Sequence, residues 1–240
     1  HDPYDGPAPA GRKNDAYGRY LGDVVRADAA AGRLLDALTA RGLRERTIVV
    51  VHSDHGEEFG EHGEFRHNTN LYEPQTRIPL LIRVPGLAPR RAPEVVGLAD
   101  AAPRTGRSLT PLLLGRSDPT GGAAYAEHLA TSGAAVPRRA VWRGRRKAIR
   151  RTDLPVVEIF DVVDDPLERV NLLGRDQAAD AELLRFLSAF DRRIEAARYR
   201  GAVGPVDAPA RFRAETEAFV GAMLRGKAGG APAFDALHVR

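Results

Sequence analysis

The stretch that decides the fold is Thr47-Ile48-Val49-Val50-Val51-His52, which continues without a break into Ser53-Asp54-His55-Gly56-Glu57. A continuous run of β-branched residues is typical of a strand that is buried on both faces of a sheet. The run stops abruptly at polar and acidic residues. Because ligands in α/β folds bind just beyond the carboxyl ends of such strands, residues 53–57 are predicted to lie at a functional site.

Helical and strand-like patterns on either side of this stretch predict an α/β fold. Apolar residues recur with helical spacing over residues 17–38, mostly on one face. Asn14 or Asp15 can cap the start of this helix, and Gly42 suits its exit. A second apolar run, over residues 78–84, predicts another strand. A helix that leads into a buried strand is the arrangement of α/β proteins.

The second half of the chain has a different pattern, which predicts a small antiparallel sheet. Its strand-like pieces are Ala123–Glu127, Arg139–Arg143, Lys147–Arg150 and Val156–Phe160. Helical spacing over residues 183–197 predicts a helix that covers this sheet. We therefore divide the chain into a core domain (1–115), a sheet-and-helix subdomain (123–200) and an Ala/Gly/Pro-rich tail with one helix (201–240).

The composition is that of a folded protein with a small excess of positive charge. Hydrophobic residues make up 43% and charged residues 28%, and the net charge is +4, which suits a small anionic ligand. The absence of cysteine excludes disulfides and thiolate metal sites within these residues. No apolar run is long enough to span a membrane. Because the chain begins at His1 rather than Met, we expect it to be part of a longer protein, and its compartment and oligomeric state stay open.

The segment after the β-branched run has the composition of a metal site. Three histidines lie among several carboxylates between residues 54 and 67. Imidazole and carboxylate ligands together suit Ca²⁺, Mn²⁺, Mg²⁺ or Zn²⁺. A solvated polar loop would have the same composition, so composition alone leaves both interpretations open.

A series of short motifs, in a fixed order, extends this argument over residues 1 to about 195. They are His1-Asp2-Pro3-Tyr4, Ser53-Asp54-His55-Gly56-Glu57, Gly60-Glu61-His62-Gly63, Leu71-Tyr72-Glu73, Arg77-Ile78-Pro79-Leu80, Ser108-Leu109-Thr110-Pro111-Leu112, Lys147-Ala148-Ile149, Ile159-Phe160-Asp161-Val162, Asp165-Pro166-Leu167-Glu168 and Asn171-Leu172. Together they resemble the sulfatase family of the alkaline phosphatase superfamily. The resemblance implies the C-terminal part of an alkaline-phosphatase-like core sheet with flanking helices, followed by the small antiparallel-sheet subdomain.

The resemblance also implies an activity and roles for individual residues. The intact protein would hydrolyse sulfate or phosphate esters with a divalent cation, calcium being favoured over Mn²⁺, Mg²⁺ and Zn²⁺. Asp54 and His55 match two of the family's metal ligands. His1 matches a histidine that contacts the sulfate or phosphate, and His67 stands where many sulfatases have a lysine that contacts the sulfate. The expected partner is a small anionic ester substrate.

The remaining site residues and the departures from the family pattern follow from the same comparison. His62 and Glu57 are expected to lie behind the residues that touch the metal and the substrate. Histidine rather than lysine at position 67 weakens the case for a strict sulfate ester, since related phosphotransferases carry histidine there. The family's nucleophile and two aspartate metal ligands have no counterpart in this chain. We therefore expect the chain to be an inactive fragment of the enzyme.

Three alternatives stay open at this point. The first is a phosphodiesterase or phosphotransferase of the same superfamily, and the second is a non-catalytic binding protein whose site has decayed. The third is a nucleic-acid binder that uses the basic run over residues 143–151. That run is more simply interpreted as a solvated hairpin with Trp142 and Ile149 on its buried side, so we expect no nucleic-acid partner.

Overall fold

The structure, a computed structural model, describes residues 3–97, 108–117, 122–128 and 136–199 of the chain. Its helices and strands, in chain order, are α1 (Ala16–Ala40), a 3₁₀ turn (Arg44–Arg46), β1 (Val49–His52), β2 (Glu58–Phe59), β3 (Phe65–Arg66), α2 (Glu73–Thr76), β4 (Leu80–Arg83), α3 (Thr110–Leu113), β5 (Ala123–His128), β6 (Arg138–Arg143), β7 (Arg146–Arg151), β8 (Val157–Asp161) and α4 (Gln177–Tyr199). His1 lies outside the described residues, and so does the tail over residues 201–240 with its expected helix.

Helix α1 begins and ends where the sequence pattern predicts. The Asp15 side chain caps it by accepting a hydrogen bond of 2.8 Å from the N–H of Gly18. After the last turn, Gly42 adopts a φ of +65°, the left-handed conformation that glycine reaches without strain. Across the ranges described, no helix combines the length and the apolar character needed to cross a bilayer.

Strand β1 is much more exposed than the sequence pattern predicted. It pairs antiparallel with β4, in a register that joins Val49 to Arg83 and His52 to Leu80. In the described part of the chain these two strands form a sheet of their own. Val50 is therefore 47% exposed and Val51 40% exposed, because no further strands flank them. The expected burial of β1 on both faces is wrong for this chain.

The second sheet has four antiparallel strands in the order β5-β6-β7-β8, and the strands lie where the sequence predicted them. Alternate residues face opposite sides of the sheet. One face packs Trp142, Ile149 and Phe160 against Leu71 of the preceding part of the chain. The other face packs Val141, Ala148 and Ile159 against Leu183 and Leu187 of α4, so α4 covers the sheet as expected. The division of the chain into domains remains a prediction.

Carboxylates compensate the basic run at the β6–β7 hairpin. The Arg146 guanidinium lies 3.0 Å from the carboxylate of Asp180, and that of Arg143 lies 3.0 Å from Glu182. Arg145 pairs with Asp161 and Asp164 near the turn. Such local ion pairs are typical of a hairpin at the surface of a protein. They neutralise part of the positive charge that a nucleic acid would bind.

A buried ion cluster joins the sheet to the preceding part of the chain. Lys147 of β7 is fully buried, and its Nζ lies 3.1 Å from Glu73 Oε1 and 2.9 Å from Glu168 Oε1. Trp142 Nε1 also donates to Glu73 Oε1, at 2.8 Å, and Glu168 Oε2 accepts the backbone N–H of Glu73 at 2.5 Å. Breaking such a cluster by removing one member costs about 3–5 kcal/mol, since a charge is left buried without its partner.

The cluster contains two carboxylates for one ammonium group, and burial in it raises the pKa of Glu168. Burial is the largest cause, Lys147 opposes it and the Glu73 carboxylate adds to it, and the pKa of Glu168 rises to about 7 from a usual 4.5. The folded protein therefore holds a proton on Glu168 more tightly than the unfolded chain does. As the pH rises from 4.5 to 7, this group lowers the stability of the fold.

We predict that the substitution Glu168→Gln changes the pH dependence of stability. Relative to the variant, the wild-type protein should be about 2 kcal/mol more stable at pH ~5 than at pH ~8, because Glu168 is protonated only at the lower pH. The measurement is the free energy of unfolding in urea at both pH values. Glu182→Gln, at an exposed carboxylate of α4, serves as the control. If the free energies of unfolding of wild type and variant differ by the same amount at both pH values, the pKa of Glu168 is not raised.

Candidate metal and anion site

The loop that follows β1 packs directly against helix α2. The backbone N–H of Gly56 donates to the carbonyl of Gln75 at 2.8 Å. A Cβ atom at position 56 would lie only 2.1 Å from the carbonyl oxygen of Pro74. Only glycine can occupy this position without displacing one backbone from the other. The contact therefore fixes the path of the chain immediately after Asp54 and His55.

Asp54 and His55 present two donor atoms towards one point. His55 Nδ1 lies 2.8 Å from the carbonyl oxygen of Gly56, so Nδ1 carries the proton and Nε2 is the nitrogen whose lone pair could coordinate a metal. His55 Nε2 lies 3.7 Å from Asp54 Oδ2. Two ligands at about 2.0–2.5 Å from a shared ion stand roughly 3–4 Å apart, so this pair fits a divalent cation. Hydrogen bonding to its backbone N–H lowers the pKa of the exposed Asp54, which keeps the carboxylate ionised.

The pair makes only part of a coordination shell. Among the described residues, no group of three or more His, Asp or Glu side chains converges on one metal position. A structural or catalytic metal site takes at least three protein ligands, and calcium takes six to eight oxygen atoms. A metal held by Asp54 and His55 therefore needs further ligands from outside this pair.

His67 lies against this pair and is fixed from behind by Glu57. Its ring stacks on the ring of His55, with the centroids 4.0 Å apart and the planes inclined by 24°. His67 Nδ1 lies 3.1 Å from Glu57 Oε1, and the Tyr4 hydroxyl donates to Glu57 Oε2 at 2.6 Å. The side chain of Glu57 is 5% exposed, so its carboxylate is directed to these two partners. Glu57 therefore orients the ring of His67.

The backbone around His67 is strained. Arg66 and Asn68, the residues on either side of it, have φ angles of +76° and +64°. A residue other than glycine in this left-handed region costs about 1–3 kcal/mol and persists only where the surroundings hold it. Because such strain is concentrated at functional sites, the loop around His67 is a candidate for one.

A buried carboxylate holds the loop between His62 and α2. Glu58 is fully buried, and its Oε1 accepts the backbone N–H of His62 at 2.8 Å. Its Oε2 accepts from Asn70 Nδ2 at 2.6 Å and from Gln75 Nε2 at 2.8 Å. Gln75 Oε1 in turn accepts the backbone N–H of Thr69 at 3.1 Å. Every polar group in this network has a partner, which is the condition under which buried polar groups stabilise a structure.

His62 belongs to the contact with the four-stranded sheet. Its ring stacks on Tyr72, with the centroids 3.8 Å apart and the planes inclined by 6°. The Tyr72 hydroxyl donates to Glu158 Oε2 at 2.8 Å, and burial raises the pKa of this tyrosine. Burial also lowers the pKa of His62, which favours the neutral ring. This arrangement gives His62 a packing role behind the loop.

A cavity of about 310 Å³ opens beside the metal pair. Asp54 and His55 line one side of it, and Trp142 contributes apolar surface. Strand β5 forms the opposite wall with residues 124–128. This volume is at the lower end of the range for small-molecule sites, and its mixture of apolar surface and a few polar groups is typical of them.

Comparisons with known proteins point to one family. The model of the Sulfatase family matches residues 1–106. Arylsulfatase K from Xenopus laevis is 31% identical over 179 residues, which cover 65% of this chain and 33% of that protein. Choline-sulfatase from Rhizobium meliloti (strain 1021) is 31% identical over 171 residues, which cover 64% of this chain and 32% of that protein.

Residues 1–106 thus match the sulfatase family, and relatives from that family align with about two thirds of the chain. A solved structure in complex with its substrate, D-glucosamine-2-N,6-O-disulfate, superposes with a TM-score of 0.62 and 28% identity. That match covers 75% of this chain and 41% of the other. The family fold is the α/β fold of alkaline phosphatase, as the motifs indicated. The chain spans about a third of the length of the curated relatives it matches.

The structure brings together four of the six residues singled out from the sequence. They are Asp54, His55, Glu57 and His67. His62 packs behind them, and His1 lies outside the described residues. Sequence reasoning missed Glu58, whose importance depends on Asn70 and Gln75 being brought to it by the fold. No local pattern distinguishes Glu58 from the exposed Glu61 and Glu64 that follow it.

We predict that Gly56→Ala disrupts the loop, whereas Gly32→Ala does not. Because the new methyl group would meet the Pro74 carbonyl, Gly56→Ala should destabilise the fold by about 2–3 kcal/mol. Gly32 lies in α1 with no atom within 4 Å of an added Cβ, so its substitution should stabilise the helix by about 0.5–1 kcal/mol. Urea unfolding of both variants measures the difference. Equal stabilities would show that the loop does not lie against α2 as described.

Proposed function

We propose that the intact protein hydrolyses the sulfate ester of a small organic molecule, and that this chain supplies two of its metal ligands and one contact to the anion. The observation that carries the proposal is the placement of Asp54 Oδ2 and His55 Nε2, 3.7 Å apart beside a cavity, with His67 stacked on His55. Imidazole and carboxylate donors beside a second, separately oriented imidazole suit a site that holds a cation and an anion together.

The relatives support a sulfate ester of a small molecule as the substrate class. Two of them are named for aryl sulfates and for choline sulfate, and the solved structure holds a sulfated amino sugar. A cavity of about 310 Å³ suits a ligand of that size. At the coarsest level, the similarity to sulfatases supports a hydrolase.

The residues of this chain have distinct tasks in the proposed reaction. A divalent cation, when bound, would neutralise negative charge on the ester and on its attacking group. Asp54 and His55 would hold it, and the hydrogen bond between His55 Nδ1 and the Gly56 carbonyl keeps Nε2 directed outwards. Glu57 accepts a hydrogen bond from the Nδ1–H of His67, and in the imidazolium form the Nε2–H of the same ring would donate to a sulfate oxygen. Because Tyr4 and His67 occupy its two oxygens, Glu57 keeps this ring orientation.

The nucleophile and the other metal ligands would come from a polypeptide segment outside this chain. Two observations support this part of the proposal. The sequence contains no Cys-x-Pro-x-Arg, the motif in which the family's formylglycine forms. Asp54 and His55 also leave a metal short of ligands. His1, which matches a family residue that contacts the anion, would complete the site together with that segment.

We predict that the chain of 240 residues is inactive on its own. Purified chain should not hydrolyse 4-nitrophenyl sulfate above the level of its own His55→Ala variant, with or without added Ca²⁺, because it lacks a nucleophile at the site. Release of 4-nitrophenol measures the reaction. Metal-dependent turnover that the His55→Ala substitution abolishes would show that the chain holds a complete site.

Substitutions in the intact protein should separate the metal ligand from the anion contact. His55→Ala should remove both bound metal and activity. His67→Ala should leave the metal content unchanged and lower kcat/KM about 10- to 100-fold, the effect of losing one charge-assisted hydrogen bond. His67→Lys should recover part of that loss, since lysine restores a cationic donor. Metal content by elemental analysis and kcat/KM on an aryl sulfate are the two measurements.

The outcomes also decide between the proposal and its rivals. His52→Ala, at an exposed histidine at the end of β1, is the matched control and should change neither quantity. Loss of metal from His67→Ala would make His67 a ligand, and no effect at all would remove it from the site. Histidine at position 67 also favours a phosphodiesterase as the second candidate. Faster turnover of bis(4-nitrophenyl) phosphate than of 4-nitrophenyl sulfate would identify that activity.

A further inference from the structure

His128, the last residue of β5, contacts the strained loop that carries His67. Its Nε2 lies 2.9 Å from the carbonyl oxygen of Asn68, the residue next to His67. Its Nδ1 lies 3.2 Å from the carbonyl oxygen of Val136, just before β6. The side chain is 5% exposed, so both contacts are shielded from water. A histidine buried between two carbonyl groups ties the loop to the four-stranded sheet.

The direction of these hydrogen bonds follows from the chemistry of the partners. A carbonyl oxygen only accepts, so a ring nitrogen that bonds to it must carry a proton. A neutral ring carries one proton, and the shorter 2.9 Å contact assigns it to Nε2, with the Asn68 carbonyl as its acceptor. In this tautomer the 3.2 Å contact of Nδ1 to the Val136 carbonyl is a packing contact and not a hydrogen bond. Arg138 of β6 donates to the next carbonyl in the loop, that of Thr69, at 2.9 Å. Two neighbouring strands of the sheet therefore hold two successive carbonyl groups beside His67.

This contact lies where the loop most needs support. Asn68 has a φ of +64°, and its carbonyl oxygen is the atom that His128 reaches. The side-chain network of Glu58 and Gln75 holds the amide side of the same loop, through Asn70 and the N–H of Thr69. The carbonyl groups of the loop are instead held by the four-stranded sheet, through His128 and Arg138. A backbone held in a sparsely populated conformation needs such support from both sides.

We propose that His128 is a positioning residue for His67. It acts through the Asn68 carbonyl, and it does not touch the anion itself. The four-stranded sheet thus sets the geometry of the site in addition to forming a wall of the cavity. The proposal deepens the proposed function and rests on it, since it gives His128 an effect on catalysis only if His67 contacts the substrate.

The test compares two substitutions of His128 with a control in the same sheet. His128→Leu removes the donor, whereas His128→Gln places an amide N–H at a similar reach to Nε2. Ile159→Val removes one methyl group from the opposite, helix-covered face of the sheet and reports a mere loss of stability. Hydrogen–deuterium exchange of the 66–70 amides is measured on the full chain. Hydrolysis of an aryl sulfate is measured on the intact protein, with His67→Ala in parallel.

The expected result is a matched pattern in the two measurements. His128→Leu should raise exchange in the 66–70 segment about tenfold and lower kcat/KM by a similar factor. His128→Gln should restore most of both, and Ile159→Val should change neither.

Three results would overturn the proposal. Unchanged exchange in His128→Leu would show that the contact does not hold the loop. Faster exchange with unchanged hydrolysis, while His67→Ala lowers hydrolysis, would show that His67 does not need this support. No effect of His67→Ala on hydrolysis would remove the proposed role of His67, and with it any role of His128 in positioning it.

Discussion

The burial of Lys147 between Glu73 and Glu168 is the constraint on which the rest of the structure depends. An ammonium group taken completely out of water is stable only if carboxylates accompany it, so β7, α2 and the segment after β8 must meet at one point. Glu73 is the first residue of α2. The ion cluster thus fixes helix α2. Gly56, in the loop of the site, packs against this helix and donates its N–H to the Gln75 carbonyl. Through this sequence of contacts, the sheet determines where His55 and His67 lie.

Two different kinds of support meet at His67. Glu57 controls the orientation of the ring by a side-chain hydrogen bond, and the left-handed residues on either side control its position through the backbone. The first kind is local, since Glu57 and His67 are ten residues apart in the chain. The second kind is long-range, since His128 is sixty residues from Asn68. The local part forms within the loop, but the long-range part requires the sheet to be in place.

Sequence patterns predicted the regular elements because these are local signals, and a local signal also singled out Asp54 and His55 as candidate metal ligands. The cap at Asp15, the four short strands and the polar residues after β1 can each be identified within a short window. The ion cluster could not be predicted from physical pattern alone, because Lys147 stands in a run of arginines and is buried by partners 74 and 21 residues away. The exposure of β1 was missed because β-branched residues report a preference for burial and cannot show whether neighbouring strands are present.

The two halves of the candidate site rest on sheets of very different strength, and this affects how tightly any ligand can bind. Asp54 and His55 follow β1, which pairs only with β4 in the described part of the chain, whereas His67 is held by the four-stranded sheet. A lone pair of strands is marginally stable in water. The β1–β4 pair should therefore open far more often than the whole molecule unfolds. A ligand that requires Asp54 and His55 binds only the closed form, so its apparent affinity is the intrinsic affinity multiplied by the closed fraction. The stability of the β1–β4 pair thus limits ligand affinity as directly as the donor atoms do.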